Sequence, residues 1–109
     1  MASYHIALVK ASSFSSVGAA PIYDLVEVDS EILDTAVSGV SSLVPNQNGL
    51  FWVVTALDAN IGGWVTHGGE PGETPVPAPA KGWPIFPRVE KGWVANKGIR
   101  LGIYPMPIT

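Results

Sequence analysis

Two histidines, His5 and His67, and a surplus of serines are the residues in this chain from which a hydrolytic centre could be built. A nucleophilic serine needs a histidine beside it and a carboxylate that orients the ring. No Gly-x-Ser-x-Gly turn is present to expose such a serine, and a lone histidine in or at the end of a strand is ordinarily solvated or structural. The pattern assigns no catalytic residue, and the chain reads as a non-enzyme. The two histidines have neither the i, i+4 spacing of a helical metal pair nor a His-x-His spacing, and without cysteine there is no thiolate ligand. Asp24, Glu27, Asp29, Glu31 and Asp34 offer the oxygens that calcium takes, but not in the order of an EF-hand loop. Carboxylates in such a row fit the protection of a sheet edge. Gly68-Gly69 lacks the following helix and the Lys-Ser/Thr pair of a phosphate cradle. No metal or cofactor is expected.

Trp52, Trp64, Trp83 and Trp93 are a different matter. Indoles stack on sugar rings when exposed and dominate core or interface energetics when buried. Trp52 lies inside an apolar run, which favours the core or an interface and leaves carbohydrate binding as the alternative.

The elements that must position these residues are strands. Twelve glycines and ten prolines interrupt 109 residues, and both are poor in helix interiors. Tyr4 to Val9 reads as a strand, followed by a Ser-rich stretch expected as a flexible connection or arm over 11–21. Ile22 to Val28 mixes apolar and acidic positions and suits an edge strand. Ser30 to Val40 allows a short helix or an extended segment; Thr35, Val37 and Gly39 favour the extended form. Leu50 to Leu57 is apolar on both parities, so it is expected as a central strand covered on two sides. Across the turn at Asp58-Ala59-Asn60, the strand Ile61 to His67 is expected to form a hairpin with it, placing Trp64 and Val65 opposite Trp52 or Val54. Residues 68–82 hold four glycines and four prolines, which supply few ladder hydrogen bonds and read as a long loop, partly polyproline II. Trp83 to Phe86, Val89 to Ala95 and Gly98 to Tyr104 complete the set; in the last, Ile99, Leu101 and Ile103 share one face. The whole is one all-β domain, 1–109, an antiparallel β-sandwich or jelly-roll-like barrel.

Composition narrows the partners. Charged residues make up 14% of the chain against 47% apolar, where roughly a quarter charged is usual, so part of the apolar surface is expected to meet other subunits. Lys81, Arg88, Lys91, Lys97 and Arg100 are scattered among acids and prolines, without the clustering that nucleic acid requires. The run Ile6 to Val9 is far too short for a membrane span or the apolar part of a signal peptide.

From Trp52 to Gly72, the run Trp-Val-Val-Thr-Ala-Leu-Asp-Ala-Asn-Ile-Gly-Gly-Trp-Val-Thr-His-Gly-Gly-Glu-Pro-Gly resembles small virion proteins of tailed bacteriophages. In those, a hydrophobic strand, a turn and a strand ending in Gly-x-x-Pro precede a "Leu-Pro-Ala-Gly" loop and a last strand like "Gly-Asp-Lys-Ile-Ala-Val-Ile". Here Ala78-Pro79-Ala80-Lys81-Gly82 and the stretch Asn96 to Ile103 take the corresponding places, so the likeness covers about half of the chain. The resemblance implies a capsid decoration or cement protein located on the virion, bound to the major capsid protein, self-associated as a homotrimer, and free of nucleic-acid and membrane partners. Trp83, Phe86 and Trp93 are the expected anchors, with Pro75, Pro77 and Pro79 of the loop as a second contact.

Overall fold

The computed structural model describes residues 2–17, 20–35 and 37–107, with side chains placed for 2–10, 27–35 and 37–106. The described residues form eight strands and no helix: β1 (Ala2–Val17), β2 (Ala20–Thr35), β3 (Gly39–Val40), β4 (Leu50–Ala56), β5 (Ile61–His67), β6 (Trp83–Ile85), β7 (Glu90–Ala95) and β8 (Leu101–Pro107). They make two antiparallel sheets, β2-β1-β4-β7 and β3-β8-β5-β6, packed on each other as a β-sandwich. The strand pairs nest: β5 pairs with β6, β4 with β7, β3 with β8, and β2 with β1. That is a long antiparallel ribbon folded over on itself, the jelly-roll manner of wrapping. Its final place beside β2 is taken by the first strand of the chain.

Successive residues of a strand face opposite ways, and this alternation builds the core. In β4, Leu50, Trp52, Val54 and Ala56 are buried and the residues between them are not. Tyr4, Ile6 and Leu8 of β1 extend this layer, and Val65, Ile85, Leu101 and Ile103 meet it from the second sheet. The expected parity of the last strand holds, with Leu101 and Ile103 fully enclosed. The segment from Ser30 is extended, as its residues favoured: β2 runs through Thr35 and the two-residue β3 follows.

Two expectations are corrected. β4 is central, between β1 and β7, but only one of its faces is covered, and Phe51 on the other is 38% exposed. On that parity Phe51 is exposed and Val53 and Thr55 are half-buried. Nor do β4 and β5 form a hairpin. Trp52 lies opposite Leu8 and Trp93, and Trp64 opposite Tyr104 and Pro84, so Asp58-Ala59-Asn60 carries the chain from one sheet to the other. Placed in facing sheets, both strands deliver residues to one interior, which neighbours in a single sheet share less well. At the end of the chain, Gly98 in a left-handed turn (φ 80°) postpones the last strand to Leu101.

The segment read as a connection or arm contains the far half of β1. Residues 11–17 pair with 20–25 of β2, whereas pairing of β1 with β4 ends at Lys10 opposite Leu50. A two-stranded ribbon therefore continues beyond the four-stranded sheet. Two irregularities mark its base, between Leu8 and Val9 and between Ala11 and Ser13. Residues 18 and 19 of the expected arm lie outside the described residues.

Candidate functional site

His5 and His67 stand on different sheets. Among the described residues neither is hydrogen-bonded to a serine or a carboxylate; Nδ1 of His67 lies 3.3 Å from the Gly68 carbonyl oxygen. No group of three or more metal-ligating side chains occurs among those residues. What the fold does assemble is apolar.

The first assembly lies at the seam between β6 and β7. Ile85 is fully buried, so Trp83, two residues before it on the same parity, also turns inward, but at the end of a three-residue strand it emerges 47% exposed. Trp93 is opposite core Trp52 and packs partly against the interior. The two indole rings are 6.4 Å apart and inclined at 50°, and His67 packs on Trp83 from the other side at 5.5 Å. Lys91 closes the seam by donating from Nζ to the Pro84 carbonyl at 3.3 Å. Phe86, 54% exposed, follows in a turn where Val89 N–H donates to the Phe86 carbonyl and Arg88, in the left-handed region, donates from its N–H to Ala56. The fold thus brings Trp83 and Trp93 together and projects Phe86 from the next turn.

The three prolines are placed differently from one another. Pro75 is buried, Pro77 half-buried and Pro79 exposed. Residues 68–82 carry neither helix nor strand, and their proline stretch lies against the outer side of β8: a Cβ on Gly102 would come within 2.5 Å of Pro77 Cγ. Lys81 braces this arrangement by donating from Nζ to the Val76 carbonyl. Pro75 and Pro77 therefore serve the chain's own packing, and Pro79 is exposed.

The second assembly is one that sequence reasoning missed. On the outer side of sheet β2-β1-β4-β7, Val9, Phe51 and Val94 lie in one cross-strand row, and Ala7, Val53 and Gly92 in the next. Within these rows Ala7 and Val9 are buried and Val53 is half-buried, whereas Phe51 and Val94 are exposed, Val94 at 61%. The signal was the double apolar parity of β4, read as burial on both sides. At the opposite edge of this sheet, Glu31 of β2 accepts hydrogen bonds from the backbone N–H groups of Ser42 and Leu43 and from the Ser42 hydroxyl, fastening the two sheets along that side. This carboxylate, read from sequence as edge protection alone, also holds the seam.

Comparison with protein-family models, with curated proteins and with solved structures finds no match to this chain. Fold and surfaces together define an all-β sandwich with two exposed apolar assemblies.

Proposed function

We propose that the chain is a non-enzymatic structural protein of a bacteriophage virion, a capsid decoration or cement protein that binds the lattice of the major capsid protein as a homo-oligomer. The observation that carries this reading is the exposed cross-strand pair Phe51 and Val94 on a sheet whose counterpart is partly roofed by its own loop. Apolar sheet surface of this kind is retained where another subunit covers it, and a lattice-binding subunit needs such surface and no reaction chemistry. Trp83 and Phe86 supply anchors of the type that concentrate binding energy, with Trp93 backing the first. The bacteriophage assignment itself rests on the resemblance of residues 50–104 to small virion proteins.

The carbohydrate-binding alternative requires indoles that offer a flat platform. Of the four tryptophans only Trp83 is exposed, and its 50° inclination to Trp93 gives no such plane, which favours the assembly reading. Heads assembled from the major capsid protein of a tailed bacteriophage whose genome encodes this chain test the proposal. Saturable uptake at a fixed ratio per capsomer, with a raised melting temperature of the head, is expected; no uptake at saturating concentration would refute it. Quenching of tryptophan fluorescence by oligosaccharides, with no head binding, would establish the alternative instead.

A further inference from the structure

We propose that the stretch 11–17 of β1 is a self-pairing edge through which two copies of this chain join about a twofold axis. The argument starts from which edges of the sheets are defended. An unpaired strand edge is a template for another chain unless charge, proline, a bulge or brevity blunts it. The outer edge of β2 carries Pro21, Asp24, Glu27, Asp29, Glu31 and Asp34. Strand β7 carries Glu90 and Lys91, β6 holds Pro84 in its three residues, and β3 has only two residues. The ribbon side of β1 has none of these devices from Ser13 onward. Past Lys10 it has no β4 to pair with, because residues 46–49 before β4 are not strand, and 11–17 contain no charge and no proline. Beyond the irregularity at Ser12, Ser13 to Val17 keep unbroken register with Asp24 to Ala20. That leaves a regular, uncharged strand edge on a ribbon whose other strand carries Pro21 and Asp24.

The occupant follows from the sequence of that edge. Ser12-Ser13-Phe14-Ser15-Ser16, flanked by Ala11 and Val17, reads the same in both directions about Phe14. An antiparallel pair related by a twofold axis sets residue i against its mirror position in the partner. Centred on Phe14, it places Ser13 opposite the partner's Ser15 and Phe14 opposite the partner's Phe14, so every position meets its own kind. A lone two-stranded ribbon is at best marginally stable in water; pairing two of them yields a four-stranded sheet, β2-β1-β1-β2, with the β2 segment that holds Pro21 and Asp24 at the outer edge on each side. Such an isologous contact closes as a dimer, not as the threefold ring that the resemblance suggested.

The inference goes beyond the capsid reading and does not need it. Light scattering on the purified full chain is expected to give twice the 11.5 kDa of one copy. The double variants S13K/S15K and S13E/S15E should each elute as monomers, since the pairing sets like charges opposite one another, and a one-to-one mixture of the two should recover the dimer. Recovery also shows that neither variant has lost its fold. With no native cysteine, Phe14→Cys adds a single thiol that should form an intermolecular disulfide under mild oxidation far faster than a thiol placed by Val76→Cys. Monomeric or trimeric wild-type chain, a mixture that stays monomeric, or a ribbon that pairs only with a strand of another protein would overturn the proposal. A dimer that ignores capsids would leave it standing while refuting the capsid reading.

Discussion

The Tyr4 hydroxyl donates a 2.6 Å hydrogen bond to the Gly62 carbonyl oxygen, so a side chain rooted in one sheet closes on the backbone of the other. Both groups are shut off from water, and a buried carbonyl that loses its donor bears the full desolvation cost. Tyr4→Phe keeps the ring and removes only the donor. The variant is expected to be less stable by about 1–3 kcal/mol in urea denaturation, with an unchanged strand spectrum. Equal urea midpoints for the two proteins would show that the bond contributes nothing.

The same hydroxyl makes stability depend on alkaline pH. Burial, and after it the negative charge of Asp58, pushes Tyr4 up to about 12 from the ordinary 10.0. Below the lower value both folded and unfolded chains keep the proton and stability is intact. As pH rises from there, the unfolded chain ionises first, so folding stability falls until the folded-state value is passed. The loss attributable to this group is on the order of 2 kcal/mol across that window. Urea midpoints measured through the window should fall more steeply for the wild type than for Tyr4→Phe; parallel slopes would remove Tyr4 from the account.

Gly63 makes room for that crossing. A Cβ there would stand 2.9 Å from Ile103 Cγ2 and 3.1 Å from the Tyr4 hydroxyl oxygen, both in the fully buried interior. Gly63→Ala is therefore expected to cost about 1–3 kcal/mol through overpacking. At Gly102 the added methyl meets the proline segment instead of the core. Gly102→Ala should raise the rate of proteolysis within residues 68–82 while changing the core little, and limited proteolysis with mass spectrometry separates the two effects. Cleavage at the wild-type rate would mean that the loop is not held by its fit over β8.

Much of this architecture is legible where alternation is clean. Leu101 and Ile103 announce their face, and the glycines and prolines exclude helices. The seams are harder to read. Asp58-Ala59-Asn60 has the composition of a hairpin turn and also of a connection between sheets, and only the core that β4 and β5 jointly fill decides between them. Phe51 reads as buried because local sequence cannot distinguish an apolar residue under a second layer from one left exposed. Ser12 to Ser16 carry a weak strand signal by themselves; they become strand through pairing with Ile22, Tyr23 and their neighbours on β2. The tryptophans stand out in the sequence, but which of them emerges depends on the shortness of β6, a boundary that Pro87 in the sequence only brackets.

The outer face of sheet β2-β1-β4-β7 gives the sharpest separation between stability and assembly. Val94 is more than half exposed and Phe51 more than a third, so neither has a large share of its surface buried by the chain itself. Replacing both with serine removes cross-strand packing between neighbours of a single sheet, worth about 0.2–1 kcal/mol per pair, and leaves the interior row Leu50, Trp52, Val54 and Ala56 as it was. The double variant is expected to melt within a few degrees of the wild type, yet to lose most of its uptake by capsids, because the apolar area withdrawn from water on docking lies in these two side chains. Trp83→Ala tests the other assembly in the same way, with its fold reported by the buried Trp52. Full uptake by the Phe51 and Val94 double variant together with loss by Trp83→Ala would move the docking surface to the β6–β7 seam.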